Sequence, residues 1–108
     1  MVSSQDIPML NVLQRVAKEV MPVGSQVWLY GSRARGEAHK DSDWDVLILL
    51  DKDNVDYEDF GKVGYPIEMA GWNYNAGITP IIYTKQEWEK RAITPFYKNV
   101  ERDRIRIL

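Results

Sequence analysis

The sequence predicts a small α/β (α+β) fold, a mixed sheet with helices packed mainly on one face. Three observations predict it. Apolar residues recur at helical spacing near the N-terminus; two short runs rich in β-branched, aromatic and aliphatic residues follow; and another such run lies beyond Gly77, after a segment of broken helical pattern. The 108 residues suit one domain, 1–108, and are too few for two ordinary ones.

Taken in order, Leu10, Leu13, Val16, Ala17 and Val20 form the apolar stripe of the first helix. Asp6 is placed to cap it, and Pro8 fits the first turn, where a missing N–H costs nothing. Pro22 and Gly24 end it. Gln26-Val27-Trp28-Leu29-Tyr30 has no polar face, as a strand covered on both sides should. Trp44–Leu50 is the strongest strand, bounded by the polar clusters Asp41-Ser42-Asp43 and Asp51-Lys52-Asp53-Asn54.

Residues 55–74 carry a helix-like pattern in Phe60, Val63, Ile67, Met69 and Trp72, interrupted by Gly61, Gly64 and Pro66. The reading is one kinked helix or two short ones, broken at Pro66. Ile78–Thr84 is a third strand, and Pro80 confines it to a sheet edge or a non-bonded position. Residues 85–91 read as a helix, Thr94-Pro95 opens another, and the alternating tail from Arg104 can add an edge strand.

Composition narrows the function classes. With 44% hydrophobic and 28% charged residues the chain is an ordinary globular protein. Fourteen Lys+Arg against sixteen Asp+Glu give a net charge of −2, which argues against a nucleic-acid coat protein. There is no cysteine, so disulfides and thiolate metal sites are excluded. No secretory pattern opens the sequence, and the longest apolar run, Val46-Leu47-Ile48-Leu49-Leu50, is far short of the roughly 20 residues of a membrane span. The expected location is the cytoplasm, with no membrane contact.

One segment, residues 31–45, stands out. Asp43 and Asp45 are two apart on a strand, so they project from one face with Cα atoms about 6.6 Å apart. Two carboxylates that close disfavour each other's ionisation, and a divalent cation such as Mg²⁺ turns that repulsion into a ligand set. Upstream, Gly31 lets backbone approach a ligand, and Ser32 offers a hydroxyl and an N–H where a helix begins. Arg33 and Arg35 add guanidinium groups able to hold phosphate oxygens. Phosphate donors beside metal ligands are the equipment of metal-assisted phosphoryl or nucleotidyl transfer.

The order Gly31-Ser32-Arg33-Ala34-Arg35-Gly36, then Ser42-Asp43-Trp44-Asp45, resembles the signature of the polymerase-β-like nucleotidyltransferase superfamily, and within it the small prokaryotic minimal nucleotidyltransferases. The resemblance is specific over residues 28–50. It implies a nucleotidyltransferase-like fold, with Gly31 and Ser32 holding a triphosphate and Asp43 and Asp45 as catalytic metal ligands. It also implies an NTP substrate, ATP first, and an acceptor from outside the chain: a HEPN-like helical partner in a toxin–antitoxin pair, or a second copy.

One departure matters. The family supplies a third carboxylate from a neighbouring strand, and the matching strand here, Ile78–Thr84, has none. Asp51 is about 20 Å from Asp45 at strand rise. Glu68, in the broken helix, is a remaining candidate whose reach the sequence does not fix. Two readings therefore stay open: a Mg²⁺-dependent transferase of nucleoside monophosphates, and a catalytically degenerate module that binds nucleotide or masks a partner. His39, alone in a polar loop, reads as solvated, as does the cluster Lys98, Arg102, Arg104 and Arg106.

Overall fold

The computed structural model describes residues 1–108. After a short 3-10 turn, Ser4–Asp6, helix α1 spans Ile7–Val20. Its stripe of Met9, Leu10, Val12, Leu13 and Ala17 is buried, and Pro8 sits in its first turn as expected. Asp6 stands at the N-cap position but makes no capping hydrogen bond, because its carboxylate is taken by Arg33.

Strand β1, Gln26–Tyr30, is followed at once by the short helix α2, Gly31–Arg35, and then by strand β2, Trp44–Leu50. β1 and β2 are antiparallel, with Tyr30 opposite Asp45. β3, Ile78–Thr84, runs parallel to β2 with Thr79 opposite Asp45, and β4, Ile105–Arg106, pairs antiparallel with β1. The sheet order is β3-β2-β1-β4. Pro80 thus lies on an edge strand, where its missing donor is tolerated.

Parallel neighbours need a crossover, which residues 51–77 supply. Here the structure departs from a single kinked helix. Residues 51–58 are bends and turns; a π-helical turn, Phe60–Gly64, leads into helix α3, Tyr65–Met69, and a 3-10 turn, Trp72–Tyr74, follows. The break falls just before Pro66, which occupies the first turn of α3. A wider π turn is one way a helix accommodates a residue that cannot donate.

The sheet is covered unequally. On one face Trp44, Val46, Ile48 and Leu50 of β2 pack with α1, Val63 and Ile67 to form the larger core. On the other, Leu47, Leu49 and Tyr30 meet Trp88 of helix α4, Lys85–Glu89, and Val100 of helix α5, Pro95–Asp103. The weight of helix lies on the α1 face, and this second layer covers the opposite one. Truncating Leu13, which is fully buried, should cost about 2–5 kcal/mol. α4 starts in a reciprocal capping box between Thr84 and Glu87, and Thr94 caps α5 by accepting from the Tyr97 N–H. No helix is long and apolar enough to cross a membrane.

Candidate active site

The site begins where β1 ends. Tyr30 is extended and Gly31 turns the chain with φ +75°, a conformation that favours glycine. A Cβ on Gly31 would overlap Oδ2 of Asp45, so the turn and the acid are in direct apposition. α2 closes at Gly36, also at φ +75°, whose N–H donates to the carbonyls of Arg33 and Ser32. Ser32 is half-buried at the start of this turn, beside the strand that carries the acids.

Asp45 lies one residue into β2, and Asp43 one residue before it. By alternation both project to the face bearing Leu47 and Leu49, while Trp44 enters the opposite core at 2% exposure. Asp43 is exposed and sits over Gly77, where a Cβ would lie 2.9 Å from its Oδ1. The Trp44 N–H donates to the Gly77 carbonyl at 2.8 Å, fastening the start of β2 to the approach of β3. Burial, with the charge of Asp43 second, raises the Asp45 carboxyl above the ordinary carboxylate value, against the pull of Arg35. Burial, then Asp45 and Tyr83, push the neighbouring Tyr30 phenol up to about 12, so it stays protonated.

The two arginines part company. Arg33 is 8% exposed; it donates to Asp6 at 3.0 Å, to the Ser42 carbonyl at 2.7 Å and to the Lys40 carbonyl at 3.2 Å, and lies over the Trp44 ring. These partners occupy its two terminal nitrogens. Arg33, expected as a nucleotide contact, is thus bonded within the protein, to Asp6 and to the loop that precedes Asp43. Arg35 is exposed and lies near enough to Asp45 to act on its charge, with its guanidinium held by Asp103 at 2.7 Å and Glu37 at 3.4 Å.

No cluster of three His, Cys, Asp or Glu side chains forms anywhere in the molecule, so neither Glu68 nor any other acid joins Asp43 and Asp45. Thr79 occupies the position beside Asp45 on the neighbouring strand. Asp51 packs against Gly24 just beyond the far end of β2, as its spacing required. The basic tail is engaged internally: Arg104 and Arg106 lie over Trp28, Arg104 pairs with Glu101, and Arg102 with Asp103. Sequence reading missed Gly77 and Asp103. Gly77, directly before a strand, carried a weak local signal; Asp103, 68 residues from Arg35, carried none.

Two aspartates two residues apart, one exposed and the other half-buried with its pKa raised by burial first and by its neighbour's charge second, form an oxygen-only donor set. That chemistry fits Mg²⁺, which takes one or two carboxylates and completes its shell with phosphate oxygens and water.

The nucleotidyltransferase domain family matches residues 10–107. Among solved structures, a toxin–antitoxin structure with AMP-PNP superposes at TM-score 0.63 and 15% identity, covering 92% of this chain and 72% of that one. A protein from Sulfolobus solfataricus described as a nucleotidyltransferase superposes at TM-score 0.62 and 23% identity, covering 94% and 80%. No curated protein sequence matches. The family match spans nearly the whole chain, and with it this protein belongs to the nucleotidyltransferase domain family.

Proposed function

We propose that the protein transfers a nucleoside monophosphate from an NTP, ATP first, to an acceptor hydroxyl in a Mg²⁺-dependent reaction that releases pyrophosphate. The observation that carries this reading is the apposition of Gly31 and Asp45, which would bring a phosphate held at the turn against a metal held by the acids. Asp43 and Asp45 would hold the metal, which when bound supplies charge neutralisation at the phosphates. Gly31 and Ser32 would seat the β- and γ-phosphates, and Arg35 would face the charge that gathers on the departing pyrophosphate. The acceptor oxygen bonds to the α-phosphorus as the α–β bridging bond breaks, and the acceptor proton passes to solvent or to a base brought by the acceptor.

The acceptor would come from a partner protein or a second copy. A toxin–antitoxin structure of similar fold supports a partner, and the HEPN-like helical class is the one the sequence resemblance implies.

Titration calorimetry with ATP·Mg²⁺ tests the site. The wild type should bind, with stabilisation of about 2.7 kcal/mol at 100 times Kd, and Asp43→Asn/Asp45→Asn should lose it. Equal affinity in both proteins would remove the site from this place.

A second reading, nucleotide binding without turnover, is favoured by Thr79 standing beside Asp45 with no third acid. Transfer of α-phosphate label to proteins or small acceptors separates the two. A transferase should show slow transfer that Thr79→Asp accelerates, whereas a binding module should bind ATP·Mg²⁺ and label nothing with any partner.

A further inference from the structure

Among the hydroxyls near the acids, most have a place in the fold. Ser42 accepts from the His39 N–H at 2.9 Å, Thr84 and Thr94 cap α4 and α5, and Ser32 opens the turn after β1. Thr79 has none of these tasks. It is the register partner of Asp45 on β3, and the two share a face of the sheet. Ile78 is buried with Trp44 in the larger core, while Ile81 and Tyr83 pack with Leu47 and Leu49 in the smaller one. Alternation therefore sets Thr79 on the side of Asp43 and Asp45. α4 and α5 cover that side further along, over Leu47 and Leu49, and Thr79 stays exposed. Its hydroxyl is open beside the acids, one strand spacing of about 4.8 Å from β2.

We propose that Thr79 is itself an acceptor, and that the chain transfers the nucleoside monophosphate of its bound NTP to its own Thr79 hydroxyl. The inference rests on the function proposed above and adds a modification site within the chain. In-line displacement needs the attacking and leaving oxygens on opposite sides of the phosphorus. The Gly31 turn presses on the Asp45 carboxylate from the end of β1, the acids belong to β2, and Thr79 follows on β3. The three lie in that order across one face. Pyrophosphate seated at Gly31 and Ser32 leaves towards β1, and Thr79 attacks from the side of β3. Tyr30, the other hydroxyl beside Asp45, lies on the leaving-group side and is only 9% exposed.

The Thr79 Oγ1 bonds to the α-phosphorus as the bond from that phosphorus to the α–β bridging oxygen breaks. Pyrophosphate departs with the electron pair, the hydroxyl proton passes to solvent, and a nucleoside monophosphate ester remains on Thr79. With Asp43 and Asp45 given to the metal and no third acid beside them, the hydroxyl has no base of its own. The transfer is accordingly slow. It also stops at one per chain, because the esterified nucleotide stays over the acids and excludes a second NTP.

The test incubates the purified chain with ATP and Mg²⁺ and follows its intact mass. Each chain should gain one AMP and release one pyrophosphate, and peptide fragmentation should place the AMP on Thr79. Label from the α-phosphate should enter the protein and label from the γ-phosphate should not. The rate constant should be independent of chain concentration. Thr79→Val keeps the branched shape without the hydroxyl, so it should bind ATP·Mg²⁺ in calorimetry and gain no mass. Thr79→Ser should be modified at residue 79, and Asp43→Asn/Asp45→Asn should neither bind nor gain mass. The purified modified chain should bind ATP·Mg²⁺ more weakly than the unmodified one, a readout that needs no turnover.

Modification that maps to Tyr30 or elsewhere, or that persists in Thr79→Val, would overturn the assignment. Should Thr79→Val fail to fold, the mapped site in the wild type and Thr79→Ser decides alone. A rate constant that rises with chain concentration would place Thr79 in the site of a second copy and overturn transfer within one chain. ATP·Mg²⁺ bound with no mass gained would overturn the internal acceptor and leave transfer to an outside acceptor standing. No binding of ATP·Mg²⁺ by the wild type would sink both.

Discussion

Gly31 and Asp45 exclude a methyl group between them. The backbone of one occupies the space that a Cβ would need, and the carboxylate of the other fills what remains. Their approach unites the turn after β1 with the first acid of β2, and Tyr30, paired with Asp45, registers the two strands. The proposed phosphate turn and the proposed metal ligand thus share one point of close packing, so damage to that point should register in stability and binding together.

Gly31→Ala is the direct test. Alanine at φ +75° costs about 1–2 kcal/mol from backbone strain alone, and the added methyl must also push the Asp45 carboxylate aside. The expected outcome is a lower melting temperature together with loss of ATP·Mg²⁺ binding. Gly61→Ala serves as the control, since nothing lies within 4 Å of its Cβ position, and it should retain both. Normal binding by Gly31→Ala would show that the turn and the acid act independently.

Asp45 should cost the metal-free protein stability. Its folded pKa is raised, by burial first and Asp43 second, so the native state holds the proton more tightly than the unfolded chain does. Relative to the unfolded chain, the group is neutral in its contribution below the ordinary carboxylate range. It becomes unfavourable as pH climbs from that range through the raised value, and stays so at neutral pH. Asp45→Asn should therefore melt higher than wild type at pH 7 without metal, and the gap should close in acid. Adding ATP·Mg²⁺ should reverse the order by stabilising the wild type alone. A variant that melts lower than wild type at neutral pH would contradict this account.

Arg33 should matter to the fold and, through the loop it holds, to binding. Its ion pair with Asp6 is nearly closed to solvent, with side-chain exposures of 10% and 11%. Arg33→Ala would strand the Asp6 carboxylate and free two loop carbonyls, at a cost of about 3–5 kcal/mol in urea denaturation. Arg33→Lys should recover little, because one ammonium replaces a fork that reaches Asp6, Lys40 and Ser42 at once. If refolded Arg33→Lys regained wild-type stability with weakened ATP·Mg²⁺ binding, the side chain would be a nucleotide ligand after all.

The differing legibility of the two arginines has a physical origin. Gly31-Ser32, the acid pair, α1, β2 and the edge position of β3 all depend on neighbours within a few residues, or on Pro80 itself, and the sequence displays them. Arg33 and Arg35 look alike in the motif and differ only through Asp6 and Asp103, which lie 27 and 68 residues away. Local pattern holds no record of such pairs. The crossover was obscured for another reason. Gly61, Gly64 and Pro66 break the 3.6 period within one turn of each other, and the chain answers with a π turn that no apolar spacing announces. The second helical layer rested on few buried side chains, chiefly Trp88 and Val100, too sparse to be weighed against the α1 stripe.

Pro80 bears on how this molecule can associate. Both margins of the sheet resist strand addition: β3 carries a proline as the third of its seven residues, and β4 is only two residues long. A neighbouring chain finds no long, regular row of donors and acceptors to copy, which is how natural sheets avoid edge-to-edge aggregation. Any lasting assembly, with another copy or a different protein, must then form through side chains on the helical layers and turns. The quaternary contacts of this protein should accordingly be sensitive to surface substitution and indifferent to the backbone of its margins.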